Sequence, residues 1–90
     1  MFDFKEVILE EEKNIQIDFL AKNGLEYEHD IDYAVLVYDN DKLIATASLA
    51  NNIMKCFLVI KEYKGKNITN QMFKHLVDIL HERHRFRNSE

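Results

Sequence analysis

Ninety residues with 47% hydrophobic and 11% aromatic side chains describe one globular domain rather than a disordered chain. The formal charge of −4, with acids at Glu10, Glu11 and Glu12 and bases at Arg83, Arg85 and Arg87, argues against nucleic-acid binding, which needs a concentrated basic surface. One cysteine rules out an internal disulfide, no apolar run approaches the ~20 residues of a membrane span, and no signal-peptide pattern opens the chain, so a cytoplasmic location is expected.

Residues 4–11 alternate weakly, with Phe4, Val7 and Leu9 apolar among charges, and read as a short strand. From Glu11 the period lengthens. Ile15, Ile17, Phe19, Leu20 and Leu25 suit the apolar face of a helix, and Gly24 stands where a C-cap glycine belongs. Residues 26–32 are polar and read as a loop.

Strand patterns follow. Residues 32–39 are rich in valine and tyrosine. Residues 43–50 alternate, with Leu43, Ala45, Ala47 and Leu49 on one face and Ile44, Thr46 and Ser48 on the other. Residues 53–60 form a nearly continuous apolar run, expected for a strand covered on both faces. Residues 39–42 are a turn by composition. Asn51 and Asn52 form a second turn, since asparagine tolerates positive φ. Residues 68–80 return to helical spacing through Ile68, Met72, Phe73, Leu76, Ile79 and Leu80, with Asn67 as N-cap and an end near Arg83. The order strand, helix, three strands, helix predicts a single α/β or α+β layered domain over residues 1–90: a mainly antiparallel sheet with helices packed on it.

A strand that runs through a short loop into a helix is a natural anion site, because the first-turn amides lack partners and the helix dipole favours negative charge. Gly65 would let a ligand approach the backbone, and Lys64 and Lys66 add point charges. Equally, Asn67 can simply cap a packing helix. Glu62 is a candidate general base at the strand end, or an ordinary exposed glutamate. Cys56, mid-strand among apolar residues, is a candidate nucleophile, but a buried thiol has a raised pKa and is inert. His81 and His84 share a helix face and His75 lies upstream; with no third ligand, a solvated helix end is expected and no metal. Tyr27, Tyr33, Tyr38 and Tyr63 read as amphipathic edge residues.

The strand, loop and amphipathic helix from residue 53 onward resemble motif A of the GNAT acyltransferases, whose loop reads Gln/Arg-x-x-Gly-x-Gly/Ala and holds the pyrophosphate of coenzyme A on its amides. Lys64, Asn67 and Thr69 stand at the signature positions, so the chain departs from the pattern there, while Tyr63, Gly65 and Ile68 fit a common local form. Carried over, the cofactor-binding residues are Tyr63, Lys64, Gly65, Lys66, Asn67, Ile68, Thr69 and Asn70. Asn67 can take a left-handed conformation at modest cost, whereas the branched Thr69 sits where a phosphate would need room.

Over roughly residues 19–86 the chain is also similar to the amino-terminal region of the citrate lyase ligases, through Ile31-Asp32-Tyr33, Ala45-Thr46-Ala47-Ser48-Leu49-Ala50, Lys55-Cys56 and residues 81–86, in that order. The resemblance implies a GNAT-like fold that stops after the motif A helix and binds acetyl-CoA or a CoA-like prosthetic group. Its partner would be a small-molecule acyl-CoA or a CoA-bearing acyl carrier protein. Ligation, in which acetate is activated with ATP and passed to a thiol, would belong to an ATP-using domain whose motifs these residues lack. A small stand-alone N-acetyltransferase and a non-catalytic contact module are the alternatives. The last strand is expected to keep an unpaired edge, which predicts a homodimer across it.

Overall fold

The computed structural model describes residues 2–88, with side chains to residue 84. Four strands, β1 (Phe2–Glu6), β2 (Tyr33–Asp39), β3 (Lys42–Ala50) and β4 (Ile53–Val59), form an antiparallel sheet in the order β1-β2-β3-β4. Helix α1 (Glu10–Lys22) joins β1 to β2, and α2 (Ile68–Asn88) follows β4. The architecture is α+β, as the pattern predicts.

The hairpin turns are set by asparagine. Asn40 and Asn51 adopt φ of 58° and 57°, a left-handed conformation that asparagine reaches more readily than most residues. Asp39 then pairs with Lys42 and Ala50 with Ile53, leaving two-residue loops. Helix α1 ends as its glycine predicts: Gly24 (φ +81°) donates to Ala21 O and Leu25 to Leu20 O, the paired bonds of a Schellman motif.

The helices cover opposite faces. Ile68, Met72 and Leu76, one turn apart along α2, are buried against Val35, Val37, Ala45, Ala47 and Leu49. Each such side chain contributes about 1.5–3 kcal/mol of burial. Phe73 is exposed rather than part of this stripe, because one helical step carries it about 100° away from Met72. Helix α1 presents Glu12, Gln16 and Leu20 to the other face; Ile15, expected on the apolar side, is exposed. The reason is the sheet: its α1 face carries Thr46 and Ser48, whose hydroxyls accept from Gln16 Nε2 at 3.1 and 2.7 Å. Thr46 in turn donates to Val35 O at 2.8 Å.

Several expectations fail for identifiable reasons. The first strand ends at Glu6 and residues 7–9 lead into α1, where Glu12 Oε1 accepts from the amides of Ile8 and Leu9 at 2.9 and 2.8 Å. The strand covered on both faces is β3, buried from Ile44 to Ala50, whereas β4 lies at the sheet edge and is half-buried. Ile44 joins Ala45, Ala47 and Leu49 in the α2-side core because it is the extra residue of a bulge opposite Val37 and Tyr38. Helix α2 runs to Asn88 instead of stopping near Arg83, since nothing in residues 81–88 breaks a helix. The side chains of Arg85, Phe86 and Arg87 lie outside the described residues.

The register fixes the two ends of the sheet. Val59, Ala45 and Val37 are neighbours at one end; Met54, Leu49 and Tyr33 at the other. The β2–β3 turn, the β4–α2 loop and the start of α2 share the first end. At the second, Arg83 donates to Asn51 O (2.7 Å) and pairs with Asp32, which also accepts from the Asn51 amide (2.7 Å).

Candidate functional site

Strand β4 leaves the sheet through a 3-10 turn (Lys61–Tyr63) and residues 64–67 before α2 begins. Gly65 has φ +87°, and no heavy atom lies within 4 Å of where its Cβ would stand, so the glycine is required by conformation rather than by space. Asn67 has φ +65° and its carbonyl accepts from the Gln71 amide at 3.3 Å, which makes it the residue before the first helical turn. Its side chain does not cap the helix in the expected way: Oδ1 accepts from Asn70 Nδ2 at 2.7 Å. No hydrogen bond among the described residues takes up the amides of Ile68, Thr69 and Asn70. They stand open at the positive end of a 21-residue helix.

Tyr63, Gly65, Asn67, Ile68, Thr69 and Asn70 border one open cleft of about 320 Å³. Six of the eight expected cofactor residues therefore meet in one place. Ile68 is anchored there by its buried side chain, so its contribution to the cleft surface is main chain. Lys64 borders a neighbouring cleft of about 270 Å³ with Phe57, Leu58, Val59, Gly65 and Thr69. Gly65 and Thr69 are common to both, so Thr69 stands between the amide cleft and the outer part of β4. Lys66 faces a third cleft with Phe2, Asp39, Lys42, Glu62 and Tyr63, of about 460 Å³. The two lysines thus flank the amides from different sides.

Glu62 is exposed on the 3-10 turn and belongs to the third cleft, apart from the α2 amides. Tyr63 is a tie: its hydroxyl donates to Asp39 Oδ2 at 2.6 Å, Phe2 packs edge-on at 6.1 Å between centroids, and the Lys42 ammonium lies 5.7 Å over its ring. The Asp39 carboxylate pushes the Tyr63 pKa up, keeping the hydroxyl a donor.

Cys56 sits in a second bulge, between the pairs Thr46–Leu58 and Ser48–Lys55, with φ 55°. The distortion lies midway along β4, on the strand that ends at the amide cleft; bulges commonly re-aim strands beside sites. Burial pushes the Cys56 thiol pKa up, and its Sγ lies 3.7 Å from Glu26 O. That is the environment of an unreactive thiol. Next to it, Lys55 Nζ bridges Glu28 and Asp30 at 2.8 and 2.9 Å, pinning the 26–32 loop onto β4.

His75 accepts from or donates to the Tyr33 hydroxyl at 2.8 Å and packs against Phe4, while His81 and His84 are exposed. Among the described residues no group of three or more His, Cys, Asp or Glu is placed to hold a metal ion. No helix among them is long and apolar enough to cross a membrane. Sequence reasoning passes over Lys42, which only the β2–β3 turn brings beside the loop.

No family model and no solved structure matches the chain significantly. Two curated proteins do, both citrate (pro-3S)-lyase ligases. The chain is 32% identical over 78 residues to that of Haemophilus influenzae, covering 84% of this chain and 23% of the relative. To that of Escherichia coli it is 29% identical over 66 residues, covering 73% and 19%. The chain spans about a fifth to a quarter of the length of the curated relatives it matches, and over most of its own length it is similar to a portion of a citrate (pro-3S)-lyase ligase.

Proposed function

We propose that this chain is a GNAT-like, acetyltransferase-type region of a citrate lyase ligase-like protein, and that it holds acetyl-CoA or a CoA-like prosthetic group. The observation that carries the reading is the cleft at the start of α2, where open amides of Ile68, Thr69 and Asn70 meet Gly65 and Asn67 in left-handed conformations. Backbone amides at a helix N-terminus are suited to phosphate oxygens, and their number survives the exchange of signature glycines. Lys64 and Lys66 supply charge on either flank. The adjoining cleft along Phe57, Leu58 and Val59 gives an extended, partly apolar arm a path along the open edge of β4.

When bound, the coenzyme would supply the activated thioester; the chain's own residues would orient its phosphates and arm. The hydroxyl at the amide cleft that meets a carboxylate is that of Tyr63, and Asp39 pushes its pKa up rather than activating it, so positioning of the acyl-bearing group fits better than turnover by this chain alone. A CoA-bearing acyl carrier protein is the partner this reading favours. Titration with acetyl-CoA or dephospho-CoA, followed by calorimetry and by amide chemical shifts, is the test. Saturable binding with the largest shifts at Gly65 and residues 68–70 is expected; no heat and no shift at millimolar ligand overturns the reading.

The open edge of β4 favours a second reading, a contact module. Among the described residues strand β4 pairs only with β3; it is half-buried and carries no proline to blunt its edge. A homodimer across β4 would cover it. Sedimentation showing a monomer at high concentration overturns this second reading.

A further inference from the structure

We propose that the cleft bordered by Phe2, Asp39, Lys42, Glu62, Tyr63 and Lys66 is the subsite for the nucleoside end of the ligand, a ribose phosphate and its base. The inference rests on the reading that phosphates sit on the α2 amides, and it brings in residues that no loop motif contains.

The cleft adjoins the amide cleft, at about 460 Å³ against 320 Å³, and the two meet at Tyr63. Its chemistry is mixed in the way a nucleoside phosphate is mixed. Lys42 and Lys66 offer ammonium groups, and neither makes an ion pair among the described residues; the recorded contact of Lys42 is with the Tyr63 ring. Two ammonium groups at one cleft suit a phosphate substituent. Glu62 is an exposed carboxylate without an ion pair among the described residues, suited to accept from a ribose hydroxyl or an exocyclic amine. Phe2 and Tyr63 give aromatic surface for the base.

The wall is tied across two loops. The Tyr63 hydroxyl is bound to Asp39, which closes the β2–β3 turn against the loop and partly occupies the carboxylate that would otherwise repel a phosphate. Residues from three segments therefore meet here: the start of β1, the β2–β3 turn and the β4–α2 loop. Glu62 acquires a role in this arrangement that a general base at the strand end does not provide.

The test compares coenzyme A with 4′-phosphopantetheine, which has the arm and one phosphate but no nucleoside, on the intact chain. Coenzyme A should bind at least about tenfold more tightly, and Lys42→Gln should remove about tenfold of its affinity while leaving 4′-phosphopantetheine unchanged. Lys42 is exposed, so the variant keeps the fold, which its thermal melt checks. Equal affinity for the two probes, or a Lys42→Gln effect of the same size on both, overturns the subsite while leaving the amide cleft intact. Absence of binding by either probe overturns both readings.

Discussion

The hydroxyl of Tyr63 lies 2.6 Å from Oδ2 of Asp39, joining the loop before α2 to the turn between β2 and β3. Between these residues stands the whole of the β3–β4 hairpin, so the contact closes the sheet end on which the candidate site is built. Tyr63→Phe keeps the packing on Phe2 and the cation over the ring but frees the loop. Weaker binding of a CoA analogue, by about tenfold, with little change in the melting temperature is expected from titration of the variant. Unchanged affinity would show that the tie does not order the cleft.

Gly65 tests the loop backbone directly. At φ +87° an added Cβ meets no atom, so Gly65→Ala costs only the left-handed conformation, about 1–2 kcal/mol. For a domain of this size 1 kcal/mol corresponds to about 4–8 °C in melting temperature. Gly65→Asn should recover part of the loss. Equal losses in denaturant melts of the two variants would mean that something other than φ sets the cost.

Thr69 separates the amide cleft from the cleft along β4. If its branched side chain crowds a phosphate, Thr69→Ala should raise the affinity for a CoA analogue by a few-fold, about 1 kcal/mol. Affinity that stays the same would rule out crowding at Thr69, and affinity that falls would point to a contact by the hydroxyl.

The parts of this fold that can be read from residues are those decided locally. Asparagine at positions 40 and 51 announces the turns because few other residues accept φ near +58°. The stripe Ile68, Met72, Leu76 announces α2 because its spacing leaves one buried face. The misread parts depend on what comes to lie alongside. An apolar run in β4 and an alternating one in β3 cannot reveal which strand is central. The bulge at Cys56 follows from the pairing with β3, and Lys42 reaches the loop through a turn distant in sequence. The site backbone was legible through Gly65 and Asn67; the separation of Lys64 from Lys66 was not, because it depends on where each side chain leaves a left-handed loop.

Gln16 is fully buried, yet its Oε1 has no hydrogen-bond partner, while Nε2 serves both Thr46 and Ser48. An unpaired buried acceptor costs about 1–3 kcal/mol, so the network is only partly stabilising. Gln16→Leu should therefore be within about 1 kcal/mol of the parent: Thr46 and Ser48 each lose the amide donor, but Thr46 keeps its own bond to Val35 O and the unpaired Oε1 is removed. Gln16→Glu at neutral pH should destabilise by about 3 kcal/mol or more, since the carboxylate is buried without a cation. Urea denaturation of the pair checks this; a loss in Gln16→Leu as large as in Gln16→Glu would show that the amide is worth more than its geometry indicates.

The acid limit of stability should lie with Glu12. Hydrogen bonds from the Leu9 and Ile8 amides, aided by Lys5 at 3.2 Å, hold its carboxyl pKa below the ordinary value of 4.5. A depressed folded-state pKa means that the unfolded chain takes up the proton first as pH falls. The contribution is then complete above pH 4.5 and is lost as pH drops through the lower, folded value. Glu12→Gln removes the charge at every pH but can still accept from the amides through its carbonyl. Its melting temperature should be lower than the parent's at pH 7, and the gap should narrow as pH falls from 4.5 through the lower, folded value. A gap that stays constant across that range would assign the acid sensitivity to another carboxylate, of which Asp30, held down by Lys55, is the next candidate.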